Sequence, residues 1–241
     1  MLPSLITWCG ATILPSLTWV ALAGAVLALH NIFGNEVLPD DVYVPANVLT
    51  GAALVGIAVG AGASLDDLGL GRTDAPSGLR WGVAIACVVA IGIAFGALLP
   101  VTRGLFHDQR VAGISGTELA YETLLRIPVG TALFEEVAFR GVLLALLLRV
   151  TSSVPAVAVC SVLFGLRHIL PTISTLRVNE VGSGAVGGVG LVGGAVVVTG
   201  VGGALFCALR LYTGSLIAPV LVHTATNSLA FAAAFVVQRT D

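Results

Sequence analysis

Long apolar runs that do not alternate with polar residues constrain this chain more than any other feature. Residues 4–34, 42–64, 81–100, 119–148, 154–170, 184–211 and 216–237 each read as such a run. In hydrocarbon every backbone N–H and C=O must be satisfied within the protein, which leaves helices or closed barrels. A barrel strand needs apolar and polar residues in strict alternation, and these runs lack it, so helices are expected. Composition agrees. Charged residues make up 10% of the chain and hydrophobic residues 57%, with a mean hydropathy of +1.03. Soluble domains carry about 25% charged residues. The expected fold class is all-α, a polytopic transmembrane helical bundle of about seven spans, or eight if one of the longest runs breaks. Residues 1–117 read as N-terminal transmembrane helices and 118–237 as the core domain that carries the unusual polar residues.

The net charge of −2 gives no footing for nucleic acid, and membrane lipid is the expected surrounding. All eleven basic residues are arginine. The absence of lysine and the abundance of Ala, Gly and Val suggest a bacterial chain and a multi-pass protein of the plasma membrane. No basic residue precedes Arg72, so the positive n-region of a cleavable signal is missing and the first segment is expected to stay. The connection from Asn35 to Asp41 lacks arginine, which argues for an outside location. Cys9, Cys87, Cys160 and Cys207 are scattered with no CxxC pair and read as buried free thiols. Glycines four apart, Gly184/Gly188 and Gly190/Gly194, read as a surface for close helix packing.

Within the fourth run stands Leu133-Phe-Glu-Glu-Val-Ala-Phe-Arg140-Gly. Ionisable groups at membrane depth are costly and point to function. Glu136 and Arg140 are four apart and share a helix face, so they are expected to pair. Glu135 lies about 100° round the helix and points away from that pair, free to face something else. His168 follows Phe164 by four positions, and His223 precedes Asn227 by four. A lone membrane histidine is more often a packing group than a catalyst, and a lone Asn is often interhelical glue. Depth makes the set more telling. Glu135 lies thirteen residues before position 148, where the fourth run ends. His168 lies fifteen residues beyond position 153 on the return, and His223 and Asn227 lie eight and twelve beyond 215. If the glycine-rich run crosses once, all four fall within about 10 Å in depth at ~1.5 Å per residue.

A buried carboxylate can act as general base toward water, and a histidine and an amide can donate to a developing oxyanion. No Ser or Cys has an obvious neighbouring base, so a covalent nucleophile is not the first reading. Glu135, His168, His223 and Asn227 therefore suffice for hydrolysis of an amide bond. Glu135, His168 and His223 could equally hold zinc with water in the fourth place. A proton-coupled carrier is a further reading of midplane carboxylates and histidines, though no inverted repeat supports it. A non-catalytic scaffold or immunity protein is another.

At these residues the chain resembles the CPBP family of intramembrane proteases, which includes type II CAAX prenyl endopeptidases and bacteriocin-processing relatives. Glu135-Glu-Val-Ala-Phe-Arg140-Gly matches its EExxxR motif, Phe164-Gly-Leu-Arg-His168 its FxxxH, and His223-Thr-Ala-Thr-Asn227 its HxxxN. Thr213-Gly-Ser-Leu and the Leu68-Gly-Leu-Gly-Arg loop are also similar. The resemblance implies an intramembrane endopeptidase acting on a peptide or membrane-protein substrate. Glu135 would activate water and His168 would orient that water or the substrate. His223 and Asn227 would form the oxyanion hole, and Glu136 with Arg140 a structural ion pair in which Glu136 assists. The family suggests a glutamate mechanism needing no metal, with a metalloprotease as the alternative. Oligomeric state does not follow from the sequence.

Overall fold

The computed structural model describes residues 4–182 and 185–240. They are mainly helical, with no strand among the described residues. The long helices are α1 (Ser4–Glu36), α2 (Tyr43–Gly60) and α3 (Ala75–Leu98), then a continuous segment α4 (116–148), then α5 (Ser153–Arg167), α6 (Ile169–Val178), α7 (Ala185–Thr213) and α8 (Ile217–Thr240). Six segments are long and apolar enough to cross a membrane: Ser16–Glu36, Asp40–Gly60, Ala75–Leu98, Ser153–Val178, Gly187–Thr213 and Ile217–Thr240. α4 is as long but carries too many charges to count among them. With α4 the bundle has the expected seven spans.

α4 starts at a capping box, in which the Ser115 hydroxyl accepts from the Glu118 N–H at 3.2 Å and Glu118 accepts from the Ser115 N–H at 2.7 Å. It then widens into π-helix over Glu122–Leu133 and again over Val137–Leu143. Pro128 lies in the first wide stretch. Proline offers no N–H, and its ring collides with the carbonyl one turn back, so a wider turn relieves both faults. Phe134–Glu136, which holds both glutamates, is an α-helical island between the two π stretches.

The side contacts sort the bundle ends into two faces. On one, Arg126 pairs with Asp40 at 3.0 Å, Asn179 accepts from the Gln109 N–H at 2.8 Å, and Arg239 donates to the Ile114 carbonyl at 2.8 Å. On the other, Arg149 donates to the Gly62 carbonyl at 3.1 Å, and the loop between α2 and α3 folds over the ends of α4 and α7. The Ser64 N–H donates to Asp67 at 2.8 Å, which holds that carboxyl below the usual carboxylate range. Leu68 is buried at the tip. Gly69 has φ +72°, and the space a Cβ would need there is filled by the Arg210 guanidinium. Arg210 donates to the Asp66 and Asp67 carbonyls at 3.2 and 2.9 Å. The glycine-rich helix α7 thus crosses once, and α8 starts on the face where α4 ends.

Three details differ from the sequence reading. Residues 172–178, which lie between the fifth and sixth apolar runs, continue as helix α6. Pro171 sits in the first turn of α6, where its missing N–H costs nothing, so the chain resumes helix after a break at His168. The glycine contacts also fall elsewhere. Gly184 lies outside the described residues, and a Cβ at Gly190 or Gly194 would meet nothing within 4 Å. The close approach is between Gly165 on α5 and α7, where a Cβ would lie 2.6 Å from the Val196 carbonyl oxygen and 3.3 Å from the Gly200 Cα. A second one joins α3 to α8 at Gly78 and Gly82, four apart, where a Cβ would meet Ser215 and Ala218. Finally, Cys160 and Cys207 are buried, but Cys87 faces outward. Its position on the lipid side of α3 is as apolar as a core, so hydropathy alone could not place it. Cys9 lies among residues whose surroundings are not described.

Overpacking a close crossing costs about 1–3 kcal/mol. Gly165→Ala is therefore expected to lower the melting temperature of the detergent-solubilised protein, and Gly190→Ala to leave it unchanged or higher. Thermal unfolding followed by circular dichroism checks this.

Candidate active site

The middle of the bundle collects charge. Glu136 accepts from Arg140 Nη1 at 3.1 Å, both side chains being fully buried. The remaining guanidinium surface lies against rings, with Cζ 3.9 Å from the Phe164 ring centroid, 5.2 Å from Phe206 and 5.9 Å from Phe139. Cation–π attraction is stronger where water is excluded. The Phe of the FxxxH pattern thus covers Arg140 and also meets the His168 ring edge-on at 4.7 Å.

His223, from α8, joins the two glutamates. Its Nδ1–H donates to Glu136 Oε1 at 2.8 Å, and its Nε2 lies 3.9 Å from Glu135 Oε2. Its ring stacks on Phe206 at 5.3 Å. Second-position bonds of this kind fix ring orientation and tautomer. His168 sits where α5 ends, and its Nδ1–H donates to the Phe164 carbonyl at 2.8 Å, which leaves Nε2 as its open nitrogen. The Phe164 ring links the two histidines, lying edge-on to His168 at 4.7 Å and to His223 at 6.4 Å. Asn227 follows His223 by one turn of α8 and is half-buried, with no hydrogen bond among the described residues.

Glu135 is not free, contrary to the expectation from α4 alone. Arg167 Nε donates to Glu135 Oε1 at 3.2 Å. The partner comes from α5, 32 positions on in the chain, so no spacing within α4 could reveal it. Arg167 was nevertheless findable as a second arginine at membrane depth, which must have a partner. Glu135 Oε2 remains buried without a partner. The structure therefore brings Glu135, Glu136, Arg140 and His223 into direct contact and adds Arg167 to them. His168 and Asn227 stand at the margin of the same cluster.

The zinc alternative meets its obstacle at Glu135. Glu135 Oε1 is taken by a guanidinium, whereas the Nδ1 bonds of His168 and His223 leave each Nε2 uncommitted, as in histidines that hold a metal. Among the described residues no three His, Cys, Asp or Glu side chains converge as metal ligands. A cation already bound to the carboxylate also opposes a second one by like charge.

A multi-pass helical membrane protein with paired carboxylates and histidines at its centre has the parts of an intramembrane hydrolase. Residues 118–229 match the family model described as Type II CAAX prenyl endopeptidase Rce1-like, just under half of the chain. That family is one of CAAX endopeptidases, so over these residues the chain is similar to a hydrolase of the membrane. No curated protein and no solved structure matches the chain.

Breaking a buried ion pair by removing one partner costs about 3–5 kcal/mol. Arg140→Ala strands Glu136 and is expected to lower the yield of folded protein, whereas Glu135→Gln keeps the shape and is not. Size-exclusion profiles of the two variants from equal membrane extracts check the difference.

Proposed function

We infer that the protein cleaves a peptide bond within or beside the bilayer by a glutamate-activated water. The carrying observation is the buried, unpartnered Glu135 Oε2 facing His223 Nε2 at 3.9 Å. Two polar atoms at that separation can both bond one water lying between them. Glu135 takes a proton from this water while the water oxygen attacks the substrate carbonyl carbon. His168, through its open Nε2, orients the water. The developing oxyanion receives the Asn227 amide N–H and, when both its nitrogens carry hydrogen, His223 Nε2–H. As the carbon–nitrogen bond breaks, the proton held by Glu135 passes to the leaving amine. Glu136 assists by anchoring His223, and Arg140 holds Glu136.

The catalytic domain is assigned to 118–237, with the helices of 1–117 as its N-terminal partner in the membrane. The substrate is a peptide or a membrane-protein segment, and the location is a bacterial plasma membrane, as the arginine-only, Ala-, Gly- and Val-rich composition suggests. Prenylated substrates are not assigned.

Cleavage of a peptide library by purified protein, with and without chelator and beside Glu135→Gln, tests the mechanism. Activity is expected to survive the chelator and to fall at least a hundredfold in the variant, the usual scale for a positioned general base. Cleavage by Glu135→Gln at the wild-type rate, or loss with chelator restored by zinc, would overturn it.

A further inference from the structure

Behind the Glu135–Arg167 pair lies a second set of polar side chains that the matched family segment does not include. His30 comes from α1 and Asn47 from α2. Asn47 is 1% exposed, and neither Nδ2 nor Oδ1 has a partner. Both ring nitrogens of His30 are shielded and likewise unpartnered. No hydrogen bond of good geometry joins the two side chains. Phe134, next to Glu135 in the chain, ties this group to the site. The His30 ring packs on Phe134 at 4.7 Å between centroids, and the Arg167 guanidinium lies 5.2 Å from the same ring. A Cβ at Gly51 on α2 would meet the Phe134 ring at 3.6 Å, so α2 closes that side. Arg167 Nη1 is a further buried donor without a partner.

Buried polar atoms are almost always bonded, and a buried water makes about three such bonds. Core packing alone does not account for this group, because apolar side chains at both positions would fill the space without stranding four polar atoms. We propose that His30 and Asn47 hold a structural water against Arg167 Nη1, and that this water fixes the guanidinium which orients Glu135. His30 and Asn47 are thus positioning residues supplied to the hydrolytic site by the N-terminal helices. The inference rests on the hydrolytic reading for its consequence in catalysis, but not for the water itself.

Two measurements test it. The first is steady-state cleavage of the library's best fluorogenic peptide by wild type, H30F, H30Q, N47L and E135Q. H30F keeps a ring on Phe134 and removes both nitrogens, whereas H30Q restores a polar end. The expected result is a kcat lower by about ten- to hundredfold in H30F and N47L, the usual scale for loss of an outer partner. KM should be little changed, and H30Q should recover most of the loss. A packing role predicts the reverse order, and full kcat in H30F would overturn the proposal. The second measurement is radiolytic footprinting in H2(18)O, which labels side chains beside bound water. His30 and Phe134 are expected to take up label in wild type and E135Q and to lose it in N47L. Absence of label at both in wild type would overturn the water. If wild type cleaves nothing, or E135Q cleaves normally, the hydrolytic reading fails, and the label still decides the water site.

Discussion

Two glutamates and two arginines, one of them only partly buried, meet at the centre of this bundle, and the rest of the structure depends on that balance. A single charge in low dielectric carries a desolvation penalty of several kcal/mol. Here Glu136 is met by Arg140 and Glu135 by Arg167, with His223 spanning both carboxylates. The groups come from α4, α5 and α8, so neutrality at depth is reached only when those three helices are in register. The cluster therefore works as a specification for how the helices assemble as well as a set of reacting groups.

Close helix contacts make that register possible. Gly165 lets α5 approach α7, and Gly78 with Gly82 lets α3 approach α8. The first contact leads to Gly203, where a Cβ would lie 3.4 Å from Arg140 Nη2. Phe164 and Phe206 then enclose the guanidinium from two helices. At one end of the bundle Arg210 pins the Asp66–Gly69 loop by two carbonyls, and the Leu216 N–H donates to the Gly69 carbonyl at 2.9 Å. That clamp sets where α8 begins, and with it the level of His223. The π stretches on either side of Phe134–Glu136 act in the same direction, because a widened turn changes the angular step between successive side chains. The N-terminal helices share the central core, with Leu27, Leu54 and Ala58 packed in one cluster with Phe134 and Phe139. They are thus part of the environment of the glutamates rather than a separate anchor.

The sequence by itself determined the helical class, because lipid offers the backbone no partners and the apolar runs do not alternate. It determined the Glu136–Arg140 pair, because residues four apart on one helix meet whatever surrounds them. It also put Glu135, His168, His223 and Asn227 at one depth on condition that the glycine-rich run crosses once, a number of crossings that only the structure supplied. Tertiary structure decided the partner of Glu135, the glycines that touch, and the approach of His30 and Asn47 to Arg167. The physical reason is rotational. A helical period fixes neighbours along one helix, but how far each helix turns about its own axis is set only by packing against the others. Gly190 and Gly194 carry the small-residue spacing yet have open space around them, while Gly165, with no glycine four residues away, meets α7.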